Sequence, residues 1–261
     1  FISLKDYQSL LAAAPDLEVC DIAIPCYEIR SVKAPEEIER MRAAGKALAA
    51  GMQAAVDCVR PGMMETDVLA EAEYAMAKAG SMGSSFRMQV LTHSRQLNLH
   101  PYASQTPIED NGPVVIHLGA SCCGYTAKMC RTVFLGTPKP ETLRIYEILK
   151  EVQRITGDAL RPGVTCGELY DAAAAYVKEQ GFGKSWVMDH IGYGVGIRQS
   201  EFYPIIAKGS ETVLRENMVV DLLLPTIYIP GVGGPRITDT ILIKEDGAEF
   251  LTEFPSGPVC K

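Results

Sequence analysis

The chemistry open to this chain rests on a few polar side chains set into short, glycine-punctuated apolar segments. His117 stands in Val114-Val115-Ile116-His117-Leu118-Gly119-Ala120, and Lys128 in Gly124-Tyr125-Thr126-Ala127-Lys128-Met129-Cys130-Arg131-Thr132. Tyr193 stands in Gly192-Tyr193-Gly194-Val195-Gly196-Ile197, followed by Leu224-Pro225 and by Gly234-Pro235-Arg236-Ile237-Thr238-Asp239-Thr240. His100 lies 17 residues before His117, His190 lies three before Tyr193, and Glu201 follows the glycine-rich segment. An imidazole can carry a proton between reacting groups, and a carboxylate can assist it. An ammonium in apolar surroundings can attract an anion, or act as base or nucleophile once burial depresses its pKa. As metal ligands the set is poor. Leu224 has no lone pair, Thr238 is a weak ligand, Tyr193 would have to ionise, and one histidine does not fix a divalent ion. Gly192-x-Gly194-x-Gly196 lacks the helix and βαβ context of a nucleotide fingerprint.

These five segments, in this order, resemble the family of methionine aminopeptidase, prolidase, aminopeptidase P and creatinase. In its metal-dependent members the frames read roughly VxxDxGA, GYxxDxxRT, GHGIGL, EP and RxED, and the Asp, Asp, His, Glu and Glu hold two metal ions. Here those positions are His117, Lys128, Tyr193, Leu224 and Thr238. The resemblance, over about residues 30 to 254, implies the pita-bread fold without the dinuclear centre, so no metal and no cofactor are expected. It also implies that His100 touches substrate and assists proton transfer, with Glu201 retained from a His-Glu pair whose His is Ser200 here. Lys128 joins them as a catalytic candidate that substitutes for lost metal charge and favours anionic ligands. His117, Tyr193, Arg131, His190 and Thr238 are the candidate substrate-binding residues. Arg131 and Arg236 have a scaffold alternative as sheet ion pairs, with Asp239 the natural partner.

The elements that must position these residues repeat. Arg60-Pro61-Gly62 opens a helical run ending Lys78-Ala79-Gly80, and Arg161-Pro162-Gly163, 101 residues on, opens another ending Glu179-Gln180-Gly181. Long helical patterns over residues 36–58 and 140–159 precede them. Each unit reads as long helix, Pro-Gly turn, second helix and Gly stop. Thr66 is a candidate cap for one second helix, and Thr165 or Gly167 for the other. Strands are expected over 114–119 and 124–135, joined through Ala120-Ser121-Cys122-Cys123, and over 218–224, 226–229, 236–243 and 249–252. Lys244-Glu245-Asp246-Gly247 carries a hairpin turn signal. The reading is α+β: helices on a curved antiparallel sheet, in pseudo-twofold halves over 36–138 and 139–254. Residues 1–34 read as a linker and remnant leading from an absent N-terminal domain, and 35–261 as the pita-bread domain.

Composition narrows the partners. A net charge of -7 in 261 residues argues against nucleic acid, which calls for a basic surface. No apolar run reaches the roughly 20 residues that span a bilayer. The eight cysteines form no C-x-x-C pair, which fits free thiols in a reducing cytoplasm and no zinc site. The expected partner is a small molecule or peptide, with a homodimer as the assembly. Two functions remain open: a metal-independent hydrolase of a small C–N substrate, or a non-catalytic pseudo-peptidase holding a peptide or small anionic ligand in the old cleft.

Overall fold

The computed structural model describes residues 2–98, 101–186, 188–222 and 227–261. His100, Leu224, Pro225 and Thr226, all named above, lie outside them.

The chain opens with α1 (Leu4–Ala13) and α2 (Ala23–Ser31). The stretch read as a linker thus holds two helices: α1 has no buried residue, whereas α2 rests against a strand of the second half. α3 (Pro35–Cys58) buries Ile38, Met41, Ala44, Leu48, Met52 and Ala55, spaced three or four apart on one face. Pro35 sits in its first turn, where no amide hydrogen is needed. α4 (Glu65–Lys78) crosses α3 at Gly51; a Cβ there would meet the Met76 side chain at 2.4 Å, so only glycine lets the helices close. β1 (Gln89–Leu91), β2 (Gly112–Cys122) and β3 (Tyr125–Leu135) follow. β2 runs three residues further than the sequence suggested. The turn is Cys123-Gly124, with φ of 50° and 81°, a two-residue form whose twist matches the flanking strands.

The second half repeats the order: α5 (Pro140–Ala159), α6 (Cys166–Glu179), then β4 (His190–Gly194), β5 (Glu201–Ala207), β6 (Val219–Leu222), β7 (Asp239–Lys244) and β8 (Gly247–Phe250). β9 (Val259–Cys260) returns to pair with β3. The sheets order as β1-β2-β3-β9 and β5-β4-β6-β7-β8. They meet where Cys130 and Thr238 exchange backbone hydrogen bonds of 3.0 and 3.2 Å. The expected strand over 226–229 is absent among its described residues; Ile227 and Ile229 make single bridges to Trp186 and Gly233.

The internal repeat is topological as well as sequential. Gly62 donates to Ile108 O and accepts its place in a left-handed turn; Gly163 does the same with Leu214 O. Met63 O receives Ile108 N, and Val164 O receives Leu214 N. The helix caps are equivalent too. Asp67 reaches back to Met64 N at 3.1 Å and Glu168 to Thr165 N at 2.7 Å. This corrects the Thr66 assignment: Thr66 lies inside α4 and accepts from Gln105, and Met64 is the capping position. Thr165, not Gly167, caps α6.

Candidate functional site

Strand alternation sorts the sheet into two faces. Val114, Ile116, Leu118, Ala127, Met129 and Val133 pack under α3 and α4. Val220, Leu222, Ile237 and Ile241 belong to the core under α5 and α6. Their alternates point the other way. The register pairs His117 with Cys130 and with Gln89, Thr238 with Cys130, and Asp221 with both Thr240 and Tyr193. Gln89, His117, Lys128, Cys130, Tyr193, Asp221, Arg236 and Thr238 therefore share the face away from the helices. His190 joins them because the β4–β5 register shifts between His190 and Gly192. Without that bulge, His190 and Tyr193 would fall on opposite faces.

At the centre is an ion pair whose acid, Asp221, the sequence reading did not single out. Lys128 Nζ meets Asp221 Oδ2, with both side chains at 2% exposure or less. Lys128 also donates to Ser200 Oγ at 3.0 Å, and Asp221 Oδ1 accepts from Tyr193 N at 2.6 Å. Burial pushes the Asp221 carboxyl above the usual carboxylate range, and the Lys128 charge opposes that push. A signal was present: Asp221 interrupts the apolar run Met218-Val219-Val220-Asp221-Leu222, and an acid in a buried strand needs a cation. Lys128 is thus compensated inside the protein. The expectation that its charge recruits anionic ligands is corrected accordingly.

Next to it runs a three-residue hydrogen-bonded chain. Tyr193 Oη lies 2.6 Å from His190 Nε2, and His190 Nδ1 lies 2.9 Å from Asp189 Oδ1. Burial raises the Tyr193 phenol above its ordinary value, reinforced by Asp221 and Asp189. The His190 hydrogen bond lowers Asp189. A phenol, an imidazole and an orienting carboxylate in line can move a proton.

Glu201 is engaged elsewhere. Its oxygens meet Arg30 Nη2 at 2.5 Å and Lys33 Nζ at 3.2 Å, tying α2 and its following residues to β5. Burial lowers the Lys33 pKa and Glu201 opposes the shift. Glu201 is therefore a clamped acid beside the Lys128–Ser200 contact, not an open general base.

Arg131 belongs to the other face. It bonds Asp239 Oδ1 at 2.9 Å and the carbonyls of Pro255, Cys130, Thr238 and Phe254. Asp239 is completed by Gln153 Nε2 and Thr252 Oγ1 at 2.6 and 2.7 Å. All of this lies toward the helices and realises the scaffold alternative for Arg131, the sheet ion pair with Asp239. A cavity of about 810 Å³ opens on that side, lined by Arg131, Gln153, Asp239, Phe250 and Phe254, away from Lys128 and Tyr193. The His117 ring centroid lies 4.7 Å from that of Phe86, with the two planes tilted by 59°, and Thr238 holds the seam between the sheets. Among the described residues, no three His, Cys, Asp or Glu side chains converge as a metal group would require. No described helix is long and apolar enough to cross a membrane.

Comparison with known proteins agrees with this architecture. An Xaa-Pro dipeptidase of Pyrococcus furiosus is 37% identical over 226 residues, which is 87% of this chain and 64% of that protein. The chain therefore spans less than two thirds of that relative's length. An Xaa-Pro dipeptidase of Lactobacillus helveticus is 30% identical over 253 residues, 96% of this chain and 68% of that one. The structure of an X-Pro aminopeptidase from Thermotoga maritima superposes with a TM-score of 0.93 at 30% identity, covering 100% of this chain and 72% of that chain. The fold is that of the prolidases, the pita-bread fold. Residues 39–245 match metallopeptidase family M24, and the chain belongs to that family.

Proposed function

We propose that this chain is a prolidase-like homologue that works without the metal pair of its family and holds a peptide or small anionic molecule in its cleft without hydrolysing it. The observation that carries this reading is the Lys128–Asp221 pair. Two divalent ions about 3.5–4 Å apart activate water and clamp the tetrahedral intermediate, and they need carboxylates free to bind them. The residues here do not fit that group. An ammonium occupies one ligand position, and the nearest buried acid is already paired with it. Glu201 is held by Arg30 and Lys33, and Asp239 faces the helices with Arg131. Thr238 and Tyr193 offer hydroxyls where the family frame has a carboxylate and an imidazole.

A second reading, metal-independent hydrolysis of a small C–N substrate, is favoured by the Asp189–His190–Tyr193 chain, which can deliver a proton to a leaving group. His100, its other candidate participant, lies outside the described residues.

The deciding experiment combines metal analysis with calorimetry and turnover. The purified chain is stripped with chelator, reloaded with manganese or cobalt, and assayed on Xaa-Pro dipeptides. The expected outcome is dipeptide binding without proline release and without two ions per chain. Two ions per chain, with proline release that chelator abolishes, would overturn the proposal. Proline release that chelator leaves unchanged, and that His190→Gln removes, would establish the second reading.

A further inference from the structure

Arg236 stands two residues before Thr238, on the face that carries Lys128 and Tyr193. Its backbone is pinned: Thr132 Oγ1 donates to Arg236 O and accepts from Arg236 N, both at 2.9 Å. Its guanidinium is held by neutral acceptors only. Nη1 meets Gln89 Oε1 at 3.3 Å and Nη2 meets the Gln96 carbonyl at 3.2 Å. Gln96 is itself fixed, donating to Pro113 O and accepting from Gly234 N. The Arg236 Nε is sealed from water and has no hydrogen-bond partner among the described residues.

The other cations buried in this region are neutralised. Lys33 meets Glu201, Lys128 meets Asp221, and Arg131 meets Asp239. Arg236 alone among these four meets no carboxylate among the described residues. The residues outside them are Phe1, Leu99, His100, Val187, Leu223, Leu224, Pro225 and Thr226, and none is acidic. The protein thus keeps a fixed, largely buried guanidinium without an internal counter-charge. Burial lowers its pKa, the sign that the charge is poorly solvated. Such a group destabilises the fold unless an anion completes it. A guanidinium presents a planar fork that matches two oxygens of one oxyanion.

The geometry points to Arg236 as the anchor for the oxyanion of a small ligand, a carboxylate or a phosphate, with Gln89 and Gln96 holding the guanidinium in place. This role deepens the proposed binding function and rests on it. It also moves the anion-recognising charge from Lys128, which the fold neutralises, to Arg236, which it does not.

The test is calorimetric titration of the whole chain with glycylproline, glycylprolinamide and inorganic phosphate, for the unmodified protein and for Arg236→Gln. In parallel, the arginine Nε–H resonances are followed by NMR in the unmodified protein, so that the result does not depend on the variant folding. The expected result is tenfold or greater preference for the free acid over the amide, with the Arg236 Nε–H signal shifting as acid is added. Arg236→Gln should erase the preference while retaining amide binding. Competition by phosphate at the same resonance, with tighter binding than glycylproline, would assign the phosphate class; weaker binding would assign the carboxylate class. Equal binding of acid and amide, or a preference that survives in Arg236→Gln, would overturn the inference while leaving the binding function intact. If none of the three probes binds or moves the Arg236 signal, the inference fails. Metal-dependent release of proline would instead overturn the underlying proposal.

Discussion

Two buried ion pairs lie three residues apart on β3 and do different work. Arg131–Asp239 faces the helices and is saturated: the arginine reaches four carbonyls besides its acid, and the acid has two further donors. Lys128–Asp221 faces the opposite way and is sparsely held, with Ser200 on the lysine and one backbone amide on the acid. The first reads as a rivet joining β3, β7, α5 and the 252–255 segment. The second sits on the face that also carries Tyr193 and Thr238, with few further partners to hold it. Position on the pleat, not residue chemistry, separates them.

The largest expected effect comes from breaking the rivet. Arg131→Met leaves Asp239 buried and uncompensated and removes the strut under four carbonyls. Urea denaturation should show a loss at or above the top of the ~3–5 kcal/mol range for a broken buried pair. A loss below ~1 kcal/mol would erase the contrast with Lys128.

Lys128→Met should cost about 3–5 kcal/mol at neutral pH, because Asp221 is stranded. The sign of its pH dependence is fixed. Burial already raises the folded Asp221 pKa above its unfolded value, and removing Lys128 raises it further. The folded variant then binds the proton more tightly than the unfolded chain does. Its stability should be best preserved at low pH and should fall as pH rises from the unfolded value through the folded one. Denaturation midpoints across pH 4–8 check this; a deficit that shrinks toward neutral pH would contradict the pairing.

Lys128→Met combined with Asp221→Asn sharpens the comparison further. Both charges leave, and the amide oxygen can still accept from Tyr193 N. The double variant should return to within about 1–2 kcal/mol of the parent, since replacing a whole buried pair is often neutral. The equivalent double change at Arg131 and Asp239 should not recover, because those side chains also hold backbone carbonyls.

The smallest effect is Tyr193→Phe, which removes one hydrogen bond to His190 and should cost about 0.5–1.5 kcal/mol. The ring-nitrogen NMR resonances of His190 should report the loss of its Nε2 partner even where the stability change is slight.

Much of the scaffold was legible in the sequence because its causes are local. The 3.6-residue spacing of Ile38, Met41, Leu48 and Met52 writes α3, and the recurring Arg-Pro-Gly writes the duplicated turn. The site was legible only in part. Lys128, Tyr193 and His190 could be singled out, but not what each would touch. Lys128 and Asp221 meet through register between β3, β7 and β6, which no local pattern encodes. The meeting of His190 with Tyr193 depends on one extra residue in β4. The Arg131–Asp239 pair was legible as a sheet ion pair, but not which face of the strand the helices would cover. The helices of residues 1–34 escaped for a different reason. α1 and α2 are only ten and nine residues long and bury Ser31 alone between them, so they lack the long run of core positions that marks α3.

The seam between the two sheets carries its own reporter. Cys130 is fully enclosed there, and burial pushes its thiol up to about 12. A thiol in that state is inert to alkylating reagents while the strands stay together. The rate at which Cys130 becomes modifiable is therefore a clock for parting of the seam, set against Cys123 on the exposed turn as the fast reference. A ligand that bridges the two halves would slow that clock without touching the cysteine, so occupancy of the cleft could be followed as chemical protection some distance from the ligand itself.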